Sequence, residues 1–197
     1  MQLSRHQLNG SSHNLQYSMI RLSEFDNQSF DRGASRWREA IWILVRALFF
    51  LNSLPWPSPL RVALLRLFGA KVGERVVVRA QVNVSFPWRL TLGDDVWLGE
   101  GCVLLTLASV VLESDVCISQ GVFLCTGSHD FRKETFDLVT QPIIVRRGSW
   151  IAAGAFVAAG VQVGEGSLIS AGSVVFEDVP PHSLIRGNPA VLVRTLD

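Results

Sequence analysis

The stretch from Val145 to Pro180 reads VRRGSW IAAGAF VAAGVQ VGEGSL ISAGSV VFEDVP, and its period decides the fold. Every sixth residue is aliphatic: Val145, Ile151, Val157, Val163, Ile169 and Val175. Four places after each stands a small or β-branched residue: Ser149, Ala155, Val161, Ser167, Ser173 and Val179. A period of six is neither that of a helix nor a plain strand alternation. It fits a short strand plus a corner, repeated as a coil. The aliphatic residue and the small one four later share a pleated face, because strand side chains alternate. Gly148, Gly154, Gly160, Gly166 and Gly172 supply backbone freedom at the corners. Three units then close one turn of a triangular prism, whose inner residues stack on those of the turns above and below.

The pattern extends backward in the same form. Val72, Val78 and Val84 give a first turn, Leu92, Leu98 and Leu104 a second, and Leu112, Ile118 and Leu124 a third. The phase slips by two between these turns, which a corner absorbs and a strand does not. With the opening stretch, this predicts an all-β solenoid of about five coils over residues 71–180. Between the third and fourth coils lies DFRKETFDLVTQPI, residues 130–143, a polar loop of a length usually either functional or disordered. His129 stands immediately before it, at a corner where its side chain points away from the prism.

The 197 residues suffice for one domain with an N-terminal appendage, and 48% hydrophobic against 18% charged content places the chain among globular proteins. A net charge of +1 without a basic tract argues against nucleic acid as a partner. Cys102, Cys117 and Cys125 lack metal-type spacing and read as reduced fillers of coil positions in a cytosolic protein. Residues 1–33 form a polar leader, partly disordered, whose portion after Ile20 can pack on the body through Phe25 and Phe30. Residues 34–70 are helical. A first helix over 35–52 carries Trp37, Ile41, Leu44, Leu48 and Leu51 on one face, and a second begins at Ser58-Pro59 and stops at Gly69. The first is too short in apolar length, and is broken by Arg46, to span a bilayer. Residues 37–54 can lie on a membrane surface, but packing against the prism or a neighbouring subunit is the favoured reading.

An isolated histidine is more often structural than catalytic. His129 is the one histidine suitably placed within the coils, since His6 and His13 fall in the leader and His182 in PPHSL. A neutral imidazole can take the proton of a hydroxyl, which can then attack a thioester without a covalent enzyme intermediate. One histidine does not make a zinc site, so a metal hydratase on the same prism is rejected and no metal is expected.

The repeats, together with FPWRLTLGDDVWLGEG, CISQGVFLCTGSHDF, the Trp-Ile start of the fourth coil and RGNPAV, resemble the hexapeptide-repeat acetyltransferases. Within them the chain is most similar to the colanic-acid-type exopolysaccharide O-acetyltransferases of the maltose and galactoside acetyltransferase group. The resemblance implies a left-handed parallel β-helix, a homotrimer with active sites shared between subunits, acetyl-CoA as co-substrate and a glycan acceptor, small or lipid-linked. The enzyme would work in the cytoplasm or at the inner face of its membrane. His129 then matches the general base, and the backbone N–H of Ala153 the donor to the thioester carbonyl. Trp150, Ala171 and Gly172 match the cleft for acetyl-CoA, Arg186 and Arg194 the basic residues near its phosphates, and residues 181–197 a tail contributing to that site. Thr106 and Asp130 stand where the acceptor would bind. Relatives commonly carry a polar pair at the places of Leu105 and Thr106, and often a lysine at that of Glu177. A non-catalytic trimeric scaffold and a serine acetyltransferase are the alternatives.

Overall fold

A computed structural model describes residues 19–196, and over them the chain winds into a left-handed parallel β-helix entered through two helices. The expectation of a disordered leader falls on residues 1–18, outside the described residues. Five coils follow one another. They are β1 (Lys71–Val72), β2 (Val77–Val78), β3 (Asn83–Val84); β4 (Leu90–Leu92), β5 (Trp97–Leu98), β6 (Val103–Leu105); and β7 (Val110–Leu112), β8 (Cys117–Ile118), β9 (Phe123–Cys125). A hairpin of β10 (Gly127–His129) and β11 (Leu138–Thr140) intervenes. Then come β12 (Ile143–Val145), β13 (Trp150–Ile151), β14 (Phe156–Val157), β15 (Gln162–Val163), β16 (Leu168–Ile169) and β17 (Val174–Val175). The chain closes on β18 (Ser183–Gly187) and β19 (Ala190–Thr195).

The strands stack into three parallel faces: β1-β4-β7-β12-β15, β2-β5-β8-β13-β16-β18 and β3-β6-β9-β14-β17. We call them the first, second and third faces. The aliphatic positions of the repeat lie in register up each face, as in Val78, Leu98, Ile118, Ile151, Ile169 and Ile185 on the second. Those columns are the core, and of the aliphatic positions in the five coils only Val72, at the first edge, is less than fully buried. Ile185 shows that the second face runs past residue 180 into β18, so the end of the chain is a sixth rung with β19 folded back on it.

Both slips of two, and the long insertion, fall at the corner between the third and first faces, where β3 leads to β4, β6 to β7 and β9 to β12. Two buried threonines hold this corner. Thr106 Oγ1 donates to the Phe86 carbonyl at 3.0 Å and accepts from the Phe86 N–H at 2.7 Å. One coil on, Thr126 Oγ1 donates to the Leu105 carbonyl at 2.5 Å and accepts from the Ala108 N–H at 3.0 Å. A serine column does the same at the corner between the first and second faces. Ser149 accepts from Ser167 N–H at 3.3 Å and Ser167 from Ser183 N–H at 3.1 Å. Buried hydroxyls are cheap only when paired in this way.

A solenoid must hide its first edge. Here α1 (Arg36–Phe49) and α2 (Ser58–Leu67) lie across it and satisfy each strand in turn. Arg66 Nη2 donates to the Val72 carbonyl at 3.0 Å, and Trp42 Nε1 to the Val84 carbonyl at 2.9 Å. The Val78 N–H donates to Ser58 Oγ at 2.8 Å. Ser58 is therefore a partner of β2; the N-cap of α2 is Pro57, and Pro59 falls in its first turn. Arg61 is buried, and its guanidinium donates to the Phe49 and Trp56 carbonyls at 2.9 and 2.8 Å, joining α1, the linker and α2. Trp42 packs on Phe50 and Phe68 at ring-centroid distances of 5.3 and 5.1 Å, plugging the open end.

The apolar face expected to pack, on the prism or on a neighbouring subunit, does not meet the prism of its own chain. Trp37 (81% exposed), Ile41, Leu44, Leu48 and Leu51 all point outward, while Trp42 and the partly buried Val45 and Phe49 meet the prism. The inward side carries the buried Trp42, whose indole N–H meets the Val84 carbonyl at the edge. No helix among the described residues is long and apolar enough to cross a membrane.

Candidate active site

His129 ends β10 and faces Leu138 of β11 across an antiparallel hairpin that projects from the threonine corner. The polar loop expected here is thus a structured arm. Its backbone pairing holds the imidazole off the prism wall, half-buried. His129 Nδ1 lies 2.8 Å from the Phe136 carbonyl oxygen. A carbonyl only accepts, so Nδ1 carries the proton and Nε2 is left as the basic nitrogen. The Phe136 ring stacks on the imidazole with centroids 4.2 Å apart and planes within 1°. Phe25 closes on it edge-first at 5.5 Å. Phe136 has φ +49°, a left-handed backbone, which brings its carbonyl and its ring to bear on the same histidine.

Neither Phe136 nor Phe25 was among the expected site residues. The sequence signal was available in DFRKETF, an aromatic inside an otherwise polar arm. Phe25 lies in the part of the leader expected to pack on the body, and that part is tied down. The Arg21 N–H donates to the Glu134 carbonyl at 2.9 Å, Arg21 pairs with the Glu134 carboxylate at 3.3 Å, and Trp88 Nε1 donates to the Arg32 carbonyl at 2.7 Å.

The two residues expected to meet an acceptor fare differently. Thr106 is fully buried, with its hydroxyl engaged on Phe86 in both directions, so it serves the corner and cannot face a ligand. An inward position of the repeat dictated that. Asp130 is beside His129, but its carboxylate turns to Arg132 Nε at 3.1 Å, and that hydrogen bond holds it below the usual carboxylate range.

The residues matched to acetyl-CoA gather elsewhere. Trp150 opens β13 on the second face, half-exposed, and its Nε1 donates to Ser119 Oγ at 2.8 Å. Ala153 and Ala171 are exposed at the corner between the second and third faces, one coil apart, with the Gly172 N–H donating to the Ala153 carbonyl at 2.9 Å. The Ala153 N–H has no protein acceptor among the described residues. Gly154 and Gly172 have φ +67° and +68°, and a Cβ on either would meet nothing within 4 Å, so they leave this edge open. Arg186 and Arg194 extend from the β18–β19 hairpin, both exposed, with Arg194 opposite Leu184. Leu184 lies in register with Leu168 and Trp150, so Arg194, opposite Leu184, stands one strand beyond the outer column that holds the indole. Within one chain, the imidazole is therefore at one corner and the proposed acetyl-CoA residues are at another.

The cysteines are free, and only Cys102 is inward. Burial pushes its thiol up to about 11, so it is not poised to act as a thiolate at neutral pH. Cys117 and Cys125 are half-buried, and Cys117 lies between Trp97 and Trp150 on the second face. Among the described residues no group of three or more potential metal ligands occurs.

Comparison with known proteins gives this geometry a class. The family profile described as "Hexapeptide repeat of succinyl-transferase" matches residues 153–177. Among solved structures, the hexapeptide-repeat acetyltransferase VCA0836 of Vibrio cholerae, in complex with acetyl coenzyme A, superposes with a TM-score of 0.74 at 26% identity, over 84% of this chain and 92% of its own. A galactoside acetyltransferase in complex with coenzyme A shares the fold, with a TM-score of 0.73, 24% identity and 81% of each chain covered. A protein of Escherichia coli (strain K12) named as the colanic acid biosynthesis acetyltransferase WcaF is 40% identical over 173 residues, 88% of this chain and 95% of its own. The chain belongs to the hexapeptide-repeat acetyltransferases of this colanic acid biosynthesis type.

Proposed function

We propose that the protein transfers the acetyl group of acetyl-CoA to a hydroxyl of a sugar or exopolysaccharide precursor, with His129 as general base. The observation that carries this is the 2.8 Å contact of His129 Nδ1 with the Phe136 carbonyl, which fixes the tautomer that leaves Nε2 basic. Nε2 takes the acceptor's hydroxyl proton as the oxygen attacks the thioester carbonyl carbon. The Ala153 N–H, which has no protein acceptor among the described residues, receives the developing oxyanion. Collapse of the tetrahedral species breaks the carbon–sulfur bond, and the imidazolium returns its proton to the departing thiolate, leaving an acetyl ester and free coenzyme A. Trp150 would line the acyl end, Ala171 and Gly172 would admit the pantetheine arm, and Arg186 and Arg194 would meet its phosphates. His129→Ala is expected to lose acetyl transfer, read as thiol release on a glycoside acceptor, while its oligomeric mass is retained. Full turnover by that variant would end this mechanism.

The separation of His129 from the Trp150–Ala153 edge supports a homotrimer in which each site draws on two subunits. Sedimentation should then give three times the 21.7 kDa of one chain. Mixed assemblies of His129→Ala with Ala153→Pro chains should recover activity that neither variant shows alone. The outward apolar face of α1, within residues 37–54, is the surface for a peripheral membrane contact. Flotation of the full chain with anionic vesicles, against a Leu44→Glu/Leu48→Glu variant, tests it.

A further inference from the structure

Residues 21–33 run as a strap in which every residue is exposed except Phe25 and Phe30, both half-buried. Segments with so little buried surface are ordinarily the first to open, yet this one is tied along its length. At its start, the Arg21 N–H donates to the Glu134 carbonyl at 2.9 Å, and the Arg21 guanidinium pairs with the Glu134 carboxylate at 3.3 Å. Glu134 belongs to the loop that joins β10 to β11. At the strap's end, Trp88 Nε1 donates to the Arg32 carbonyl at 2.7 Å, Arg89 donates to the Asp31 carbonyl, and Arg32 pairs with Glu39 of α1. Between these ties the Phe30 ring lies 6.3 Å from that of Phe86, with the Arg89 guanidinium 5.2 Å over it. Phe86 is the residue whose backbone Thr106 holds in both directions. The strap is thus anchored at the same corner from which the hairpin projects.

The other half-buried ring, Phe25, has one aromatic neighbour among the described residues, the His129 imidazole, met edge-first at 5.5 Å. The remaining restraints on that imidazole come from its own arm. The carbonyl at 2.8 Å from Nδ1 and the ring stacked at 4.2 Å both belong to Phe136, so both move with the hairpin. Phe25 is the ring contact of His129 that comes from a segment anchored to the prism.

We propose that Phe25 is a positioning residue for His129, and that through the strap it holds the imidazole in the orientation in which Nδ1 meets the Phe136 carbonyl and Nε2 is free. The inference rests on the acetyl-transfer reading for its effect on rate, but not for its effect on the ring. A half-buried imidazole turns readily about its two side-chain torsions unless its flanks are filled. The Phe136 stack fills one flank, and the edge of Phe25 closes another against water. Water entering there would replace the Nδ1 contact at little net cost, because folding exchanges hydrogen bonds with solvent for hydrogen bonds within the protein. The tautomer would then no longer be fixed, and for part of the time Nε2 would carry the proton and could not act as a base.

The test uses the full chain with isotope-labelled histidine. Proton–nitrogen correlation NMR at alkaline pH, where imidazoles are neutral, reads the tautomer of each ring. The His129 signals are assigned by their loss in His129→Ala, and those of His182 report that the prism is intact. Wild type should show His129 with the proton on Nδ1. Phe25→Ala should show a mixture of both tautomers and a kcat for acetyl transfer lower by on the order of 10-fold. Phe25→Tyr keeps the ring and should restore both. Phe30→Ala releases the anchor without removing the Phe25 ring, and should shift the tautomers in the same direction. A wild-type ring protonated on Nε2, or unchanged tautomers in Phe25→Ala or in Phe30→Ala, would each overturn the proposal. If the tautomers shift as stated while wild type transfers no acetyl group, the positioning stands and the acetyl-transfer reading falls. If wild type transfers acetyl and Phe25→Ala keeps full kcat, the reverse holds.

Discussion

At the scale of single residues, the role proposed for His129 rests on what Phe136 does to it. One residue supplies the carbonyl that fixes the imidazole's proton and the ring that fixes its plane, at the cost of a left-handed backbone at φ +49°. Phe136→Ala leaves the carbonyl but removes the stack, so the imidazole gains rotational freedom. Misplaced catalytic groups lose rate steeply, and kcat is expected to fall on the order of 10-fold. A purely structural role for Phe136 would instead lower the melting temperature and leave kcat per folded chain intact; the two readings separate when both are measured.

At the scale of the coil, glycines do two unlike jobs. Gly154 turns a corner at φ +67° with open space around it, so Gly154→Ala should cost about 1–2 kcal/mol from backbone strain alone. A Cβ on Gly99 would stand 2.6 Å from the Ser119 carbonyl carbon of the next coil. There Ala forces two rungs apart, and the cost should be the larger of the two, up to about 3 kcal/mol. Denaturant unfolding of both variants checks the order. Coils are also stapled by charge. Glu113 accepts from Arg146 Nη1 at 2.8 Å, and that hydrogen bond holds its carboxyl below the ordinary glutamate value. A folded value below the unfolded one contributes stability that is present above the unfolded value, about 4.3, and is lost as pH falls through the folded one. The pair is partly exposed, so the effect is small. Glu113→Gln should lower the melting temperature slightly at pH 7 and match wild type near pH 2.

At the scale of the molecule, the solenoid has a built beginning. Trp42, Ser58, Arg61 and Arg66 deliver polar atoms to the first coil's edge, so the helical segment is a cap that the stack requires. Trp42→Ala removes a fully buried indole and orphans the Val84 carbonyl. It should destabilise the protein by about 3–5 kcal/mol, with loss concentrated in the first coil by hydrogen exchange.

The period of six made the prism, its three faces and its inward residues legible, because a repeat states the same burial constraint many times over. For the same reason it should have warned that Thr106, on an inward position after Leu104, would be buried. His129 was legible as a candidate because it breaks the repeat. What held it was not, since the partners are the carbonyl of Phe136 and the ring of Phe25, one in an insertion with no period and the other more than 100 positions away. Which face of α1 meets the prism was not legible for a related reason. Amphipathic spacing marks apolar stripes but does not say which one carries the atom that an edge strand needs. Local pattern thus determined the stack, which is a sum of nearest-neighbour contacts between like units. The tertiary structure decided the site, because a site is built where unlike segments meet, and no periodicity records that meeting.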